Sequence, residues 1–426
     1  MSKNNNNLVA IVTMCFIFAM ISFVTNMAAP FGNIWGNQYE WSRMAGNLMN
    51  FTAYLFMGIP AGKMLLSVGY KKTTLIALAT GFVGVCIQYL SSFGFLGGAA
   101  VYVYLLGAFV SGFCVCMLNT VVNPSLNSLG GGGNRGNQLI QVGGTLNSLV
   151  GTLTPLLIGV LIGTVSDSTS MSDVTPLLFI AMGVFAVAFV IICFAEIPEP
   201  AQGRAAVKYE HSPWHFRHFV LGAVAIFFYV GIEIGIPAQV NFYLSDATAK
   251  GAGIDVNGAA VGGAIAAVYW LLMMVGRFSS TLISGKVSTR MQMTCVSAVA
   301  IALVLAAIFT PKAMTVSMPG YSAADGFDMF KVPLSCLFLV LCGLCTSIMW
   351  GAIFNLAVEG LGKYTEAASG IFMMLVVGGG VMPFIQNIIA RNAGYMVSYW
   401  LVAAMLCYLL YYAVSGSKNV NKDIPV

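Results

Sequence analysis

One carboxylate in this chain stands where a charge is costly. Among fourteen acidic residues, Glu233 alone lies near the middle of a long apolar run, while Asp246 lies at the far end of the same run. An acid in mid-membrane costs about 3 kcal/mol on insertion scales, so its presence signals work: proton exchange, cation coordination or acceptance of a ligand hydroxyl. Tyr229 and Pro237 flank it at one-turn spacing. The tyrosine is a hydrogen-bond partner for it, and the proline frees a backbone carbonyl nearby. Around this acid the apolar runs carry many amides: Asn26, Asn47, Asn50, Asn119, Asn123 and Asn147, then Gln239, Asn241, Asn355, Gln386 and Asn387. Asn119 and Asn123, four residues apart, share one helix face. Amides exchange hydrogen bonds with hydroxyls, and indoles such as Trp270 and Trp350 cover C–H faces. That set, with almost no charge beside it, suits an uncharged, hydroxyl-rich solute. The plainer reading of any one amide is a hydrogen bond between helices, and of either indole an interfacial anchor.

Other groupings carry less chemistry. Lys63, Arg277, Glu359 and Glu366 fall by topology at the same ends of four apolar runs, where they would form an ionic latch or simply solvated helix ends. His211, His215 and His218 have one-face helical spacing, but beside Trp214 and Arg217 they read as an interfacial segment, and no metal site is expected. Cys342 and Cys345 form a C-x-x-C on an apolar helix, a packing feature. All ten cysteines lie in apolar runs, so no disulfide framework is indicated. No cofactor is expected.

The elements that must hold these residues are membrane spans. Apolar residues are 58% of the chain and charged ones 8%, too few charges to cover a water-facing surface, where roughly a quarter is usual. A net charge of +5 from so few groups argues against a nucleic-acid partner. A helix needs roughly 20 apolar residues to cross hydrocarbon. Charge-poor runs at 8–33, 42–68, 73–90, 101–126, 139–165 and 175–195 give six spans, and 219–245, 258–283, 293–309, 332–358, 367–389 and 396–414 give six more, with a break placed at Ser91-Ser92-Phe93-Gly94. The fold class is all-α, a polytopic membrane protein of twelve transmembrane helices in two six-helix bundles: residues 1–197, a cytoplasmic linker at 198–217, and 218–426. With the N-terminus inside, fourteen basic residues fall on the cytoplasmic side and Arg43, Lys250, Lys312, Lys331 and Arg391 outside. The positive-inside rule then places both termini in the cytoplasm.

The halves echo each other. Gly58-Ile59-Pro60-Ala61-Gly62 through Lys72 matches Gly276-Arg277-Phe278 through Arg290, and Asn123 through Gly130 matches Asn355 through Gly362. Parallel repeats with a site between them suit a secondary transporter. Small-residue faces at Gly143, Gly144 and Asn147, and at Gly258, Gly262 and Gly263, suit close helix packing. Gly378-Gly379-Gly380 with Pro383 marks a kink.

On Pro60-Ala61-Gly62 with Tyr70-Lys71, Asn123-Pro124, Asn147-Ser148, Gly276-Arg277-Phe278, and Leu361-Gly362 through Gly378-Gly379-Gly380 to Pro383, the chain resembles the major facilitator superfamily. Within it, the chain is similar to the fucose–proton symporter family of sugar carriers. The superfamily loop motif expects an acid where Leu66 stands, an absence shared with that branch. The resemblance implies a carrier of a neutral sugar (a hexose, deoxyhexose or amino sugar) working by alternating access in the plasma, or bacterial inner, membrane. It also implies acids in the first and fourth spans, where this chain has Asn26 and Asn119.

The expectation is therefore a monomeric sugar transporter and not an enzyme, with Asn26, Asn119, Asn123, Asn147, Gln239, Asn241, Trp350 and Asn355 as substrate ligands. Three roles stay open for Glu233: proton symport, sodium symport with neighbouring amides, or sugar binding in an uncoupled facilitator. A drug or lipophile exporter would prefer a cavity with fewer amides. A membrane enzyme would need a catalytic constellation that the spans lack. A sugar sensor on the same fold is the remaining rival.

Overall fold

The computed structural model describes residues 2–130, 133–162, 169–197, 211–254, 258–283, 287–322, 326–361 and 364–420. The first half contains α1 (Ser2–Asn26), α2 (Ala28–Gln38), α3 (Ala45–Val68), α4 (Tyr70–Leu90), α5 (Ala100–Leu129), α6 (Gly133–Ile162) and α7 (Thr175–Phe194). The second contains α8 (Arg217–Ser245), α9 (Gly258–Ile283), α10 (Thr289–Phe309), α11 (Leu334–Thr346), α12 (Met349–Val358), α13 (Thr365–Leu375), α14 (Gly378–Ala393) and α15 (Tyr395–Tyr411). Ten helical stretches among the described residues are long and apolar enough to cross a membrane, and α3 and α6 complete twelve spans. In lipid every backbone group needs an internal partner, so such runs become helices. Leu55, Phe56, Val83, Val187, Phe194 and Val299 are exposed on the outside of the bundles, a surface that lipid covers.

Three spans depart from regular helix among the described residues. The first bends at Met27, the tenth is interrupted at Ser347–Ile348, and the eleventh at Val376–Val377. The expected kink near Pro383 thus has a tightened turn beside it, with hydrogen bonds from Val376 N to Met373 O and from Gly379 N to Val376 O. Proline removes the amide that would take the carbonyl four residues earlier. For Pro383 that carbonyl belongs to Gly379, and Asn47 Nδ2 of α3 donates to it at 2.8 Å. Gly69 (φ 87°) and Gly394 (φ 109°) are single-residue turns between adjacent helices, in a conformation that costs glycine least. Lys71 closes the end of α7, donating to the carbonyls of Cys193 and Ala195 at 2.9 Å each.

The halves meet along two seams. In one, α3 lies on α13 and α14; in the other, α6 lies on α9. A Cβ at Gly58 would fall 2.8 Å from Met374 N, and one at Gly380 would fall 3.0 Å from Leu48 Cα.

Two features depart from the sequence reading. The chain between α10 and α11, expected as loop, contains an antiparallel hairpin, β1 (Thr315–Ser322) with β2 (Gly326–Pro333), in which Thr315 faces Pro333. Gly326 opens β2 at φ 69°, and Met318 is buried. The linker placed at 198–217 lies outside the described residues over 198–210, and α8 already begins at Arg217.

Candidate functional site

A cavity between the halves is lined from the first by Ser22, Thr25, Asn26, Tyr54, Asn119, Asn123, Gln141 and Asn147. From the second come Glu233, Trp270, Arg277, Ser347, Trp350 and Gly351. It offers about 120 Å³, room for roughly eight waters at about 15 Å³ each, the scale of one small polar solute.

The N-terminal amides are anchored by their own donors. Asn26 Nδ2 donates to Ser22 O (2.8 Å) and Ser22 Oγ (3.1 Å), and Asn147 Nδ2 to Phe18 O (3.0 Å). Asn119 Nδ2 donates to Tyr54 Oη (2.8 Å) and Asn123 Nδ2 to Asn119 O (3.0 Å). Each thus keeps an Oδ1 acceptor without a protein partner among the described residues. Across from them, Trp270 and Trp350 present indole surface. Trp350 is set edge-on against Tyr229 (6.3 Å) and Phe372 (6.1 Å), which fixes its plane.

Glu233 is buried and lines this site. Tyr229 Oη donates to its Oε1 at 2.9 Å, the one-turn pairing expected from the sequence. The sequence reading did not anticipate its second partner. Arg277 is not with Lys63 and Glu359 at the helix ends but in the cavity, with Nη2 3.4 Å from Glu233 Oε1. Its Nη1 donates to Gly144 O (2.7 Å) and Ser148 Oγ (3.0 Å), and its Nε to Ser347 O (3.3 Å). The physical reason is reach: a long stem carries the guanidinium away from its Cα toward polar partners. Every nitrogen of the one cation lining the cavity is engaged by protein acceptors.

The remaining expected residues lie elsewhere. Gln239 is fully buried within the second half, donating weakly to Asn387 Oδ1 at 3.5 Å, and Asn241 accepts from Ser245 Oγ at 3.0 Å. Neither lines the cavity. Asn355 is exposed on α12, one turn beyond Gly351. Lys63 and Glu359 are both exposed, and the Glu359 carbonyl takes His218 Nε2 at 2.9 Å. The side chain of Glu366 lies outside the described residues. Tyr54, Gln141 and Ser347 were not singled out in the sequence, although Gln141 stands one turn from Thr145 on the helix that carries Asn147.

The two ends of the site differ. On the face opposite the termini the halves are tied. Arg391 Nε meets Glu40 Oε1 at 2.8 Å, Arg43 lies over the Phe242 ring at 5.2 Å, and Arg43 Nη1 reaches Tyr395 Oη at 3.5 Å. Tyr395 in turn donates to Asp246 Oδ2 at 3.2 Å. The hydrogen bond from Arg391 holds the Glu40 carboxyl below the usual carboxylate range. Asn123, Gln141 and Gly351 line the cavity as well, whereas Asn355, one turn past Gly351, is exposed and outside the lining.

A model of the Major Facilitator Superfamily matches residues 9–383. The chain is 29% identical to a "Glucose/galactose transporter" of Brucella abortus biovar 1 (strain 9-941), over 98% of this chain and 96% of the relative. It is 26% identical to a "Putative glucose/galactose transporter" of Helicobacter pylori (strain ATCC 700392 / 26695), over 98% and 99%. Among solved structures, a transporter of the superfamily, FucP in the outward conformation, superposes with a TM-score of 0.72 at 17% identity, covering 97% of this chain and 100% of the other. The nucleoside transporter NupG follows at a TM-score of 0.64 and 12% identity, with the same coverage. These likenesses establish the fold.

Proposed function

Because the chain belongs to the Major Facilitator Superfamily, we propose that it is a secondary transporter of a neutral hexose, working by alternating access with Glu233 as the proton-coupling acid. The cavity carries this reading. It pairs a row of amide acceptors with two indoles, and its one cation is already committed to Glu233, Gly144, Ser148 and Ser347, which disfavours an anionic substrate. Relatives named glucose/galactose transporters over nearly their whole length support a hexose, and the fucose:proton symporter FucP shares the fold. The excess of basic residues on the terminus-bearing face supports a cytoplasmic assignment for both termini in a plasma membrane.

The test is reconstitution. Purified protein in liposomes should catalyse counterflow of radiolabelled D-glucose or D-galactose, and should accumulate the sugar under an imposed inward proton gradient. No counterflow of any neutral hexose would remove the reading. One observation favours a second reading: Glu233 already has a cation in Arg277, as an uncoupled facilitator would require. Counterflow without gradient-driven accumulation would select it.

A further inference from the structure

The cavity's amides are oriented by what holds them. Asn26 Nδ2 donates to Ser22 O at 2.8 Å, Asn123 Nδ2 to Asn119 O at 3.0 Å and Asn147 Nδ2 to Phe18 O at 3.0 Å. All three partners are backbone carbonyls, which accept and never donate. Turning any of these amides over would set two oxygens against each other, so each Oδ1 is the atom left for a ligand. The three residues are half-buried, and none of their amide oxygens is sealed inside the protein. Asn119 differs, because its partner Tyr54 Oη is a hydroxyl that can serve either way. Two hydroxyls of the lining repeat the pattern. Thr25 Oγ1 donates to Ile21 O at 2.9 Å, and Ser347 Oγ to Leu344 O at 2.6 Å. Each has given its one proton to a carbonyl about one turn back and keeps only lone pairs.

Resting on the sugar-carrier reading above, we propose that Asn26, Asn123, Asn147, Thr25 and Ser347 read a substrate hydroxyl only as a proton donor. The ligand class is a polyol whose O–H groups face α1, α5, α6 and the junction of α11 with α12. An ether oxygen, a fluorine or a carboxylate set there would meet lone pair against lone pair. The ring oxygen of a sugar, which only accepts, belongs opposite the N–H groups of Gln141, Trp270 or Trp350, which also line the cavity. The site thereby separates a hydroxyl from groups of similar size that accept but do not donate.

The experiment is competition against radiolabelled D-glucose or D-galactose bound to the purified protein. The competitors are sugars deoxygenated at one carbon at a time and the matching deoxyfluoro sugars. Fluorine keeps much of the size of a hydroxyl and a weak acceptor, but has no proton to give. Removing a hydroxyl that bonds one of these oxygens should weaken binding about ten- to hundredfold, and fluorine at that carbon should recover less than about twofold. Asn123→Ala and Asn147→Ala assign the carbons: where an amide reads a hydroxyl, the penalty for deleting that hydroxyl should fall below about twofold in the variant. Asn123 bonds within α5, so its variant decides alone if Asn147→Ala, which cuts an interhelical bond, fails to fold as judged by size exclusion. Fluorine that restores affinity at a carbon so assigned, or penalties that no folded variant changes, would overturn the proposal with the hexose reading intact. Protein that binds no hexose is put through the same comparison with myo-inositol and its deoxyfluoro derivative. Inositol binding that fluorination weakens would defeat the hexose reading and leave the acceptor set standing. Inositol binding untouched by fluorination, or no binding of either, would overturn both.

Discussion

Adding one methyl group at Gly380 should change which face of the carrier is open, whereas the same change two residues earlier should only destabilise it. A Cβ at position 380 would lie 2.8 Å from Phe51 Cβ and 3.0 Å from both Leu48 Cα and Leu48 O, all on α3 of the other half. Carbon atoms rest at about 3.5–4.0 Å, so the two helices must part by roughly 0.5–0.7 Å. Neither helix backbone can yield locally, and the strain belongs to the usual overpacking range of about 1–3 kcal/mol. Because the clash spans the seam between the halves, rocking can relieve it, which converts the strain into a shift of about 5- to 150-fold in the conformational equilibrium. At Gly378 the Cβ would instead strike the backbone of Phe227 on α8, in the same half, where no rocking helps. The assay is labelling of a cavity cysteine, Thr25→Cys, by an impermeant reagent applied to the face opposite the termini. Gly380→Ala should raise the labelling rate by that factor with little loss of thermal stability. Gly378→Ala should lower the melting temperature and leave accessibility unchanged. Equal accessibility in Gly380→Ala and wild type, with both folded, would show that the seam yields without opening and would refute the reasoning.

Asn147→Ala and Asn119→Ala each delete an amide lining the cavity; equilibrium binding should show a loss of about 1–3 kcal/mol, roughly ten- to hundredfold in hexose affinity. Gln239→Leu, away from the cavity, should leave affinity unchanged and cost less than about 1 kcal/mol in stability, as interhelical hydrogen bonds in membranes do; a large affinity loss would restore Gln239 to the site. The Glu40–Arg391 pair contributes only while Glu40 is ionised. Since its folded carboxyl is held below the ordinary value, the contribution is complete above about pH 4–5 and fades as pH falls through the lowered value. The carboxylate is 69% exposed, so Glu40→Gln at neutral pH should shift Thr25→Cys labelling by no more than exposed pairs allow, about 0–1 kcal/mol.

The spans were legible because a dearth of charge is a one-dimensional signal, and the break at Ser91–Gly94 fell where α4 ends at Leu90. Four amides of the first half and Trp350 line one cavity, with Asn119 and Asn123 on the shared face that their spacing implied. Gln239 did not, because an amide on a helix buried all round points to a neighbouring helix as readily as to a cavity. The hairpin was hidden by the absence of apolar alternation long enough to announce a strand, although the Asp325-Gly326 pair is a turn signal. Arg277 was the largest displacement. Its Cα lies six residues from the end of α9, which reads as interfacial, and nothing in the sequence says that the side chain turns toward Glu233.

That arginine also bears on the order in which the molecule can be made. Translation delivers α6 and α8 before α9, so Gly144, Ser148 and Glu233 are already in the bilayer when Arg277 arrives. A guanidinium at a helix centre costs about 2.5–3.5 kcal/mol to insert alone; Arg277, six residues from the end of α9, faces a smaller cost, part of which the waiting acceptors offset. The Ser347 carbonyl comes later, on a span that is interrupted beside it, and meets a donor already in place. Maturation of the second half is thereby tied to the first. A second half synthesised by itself would bring Arg277 into lipid with Glu233 beside it and with neither of its α6 partners.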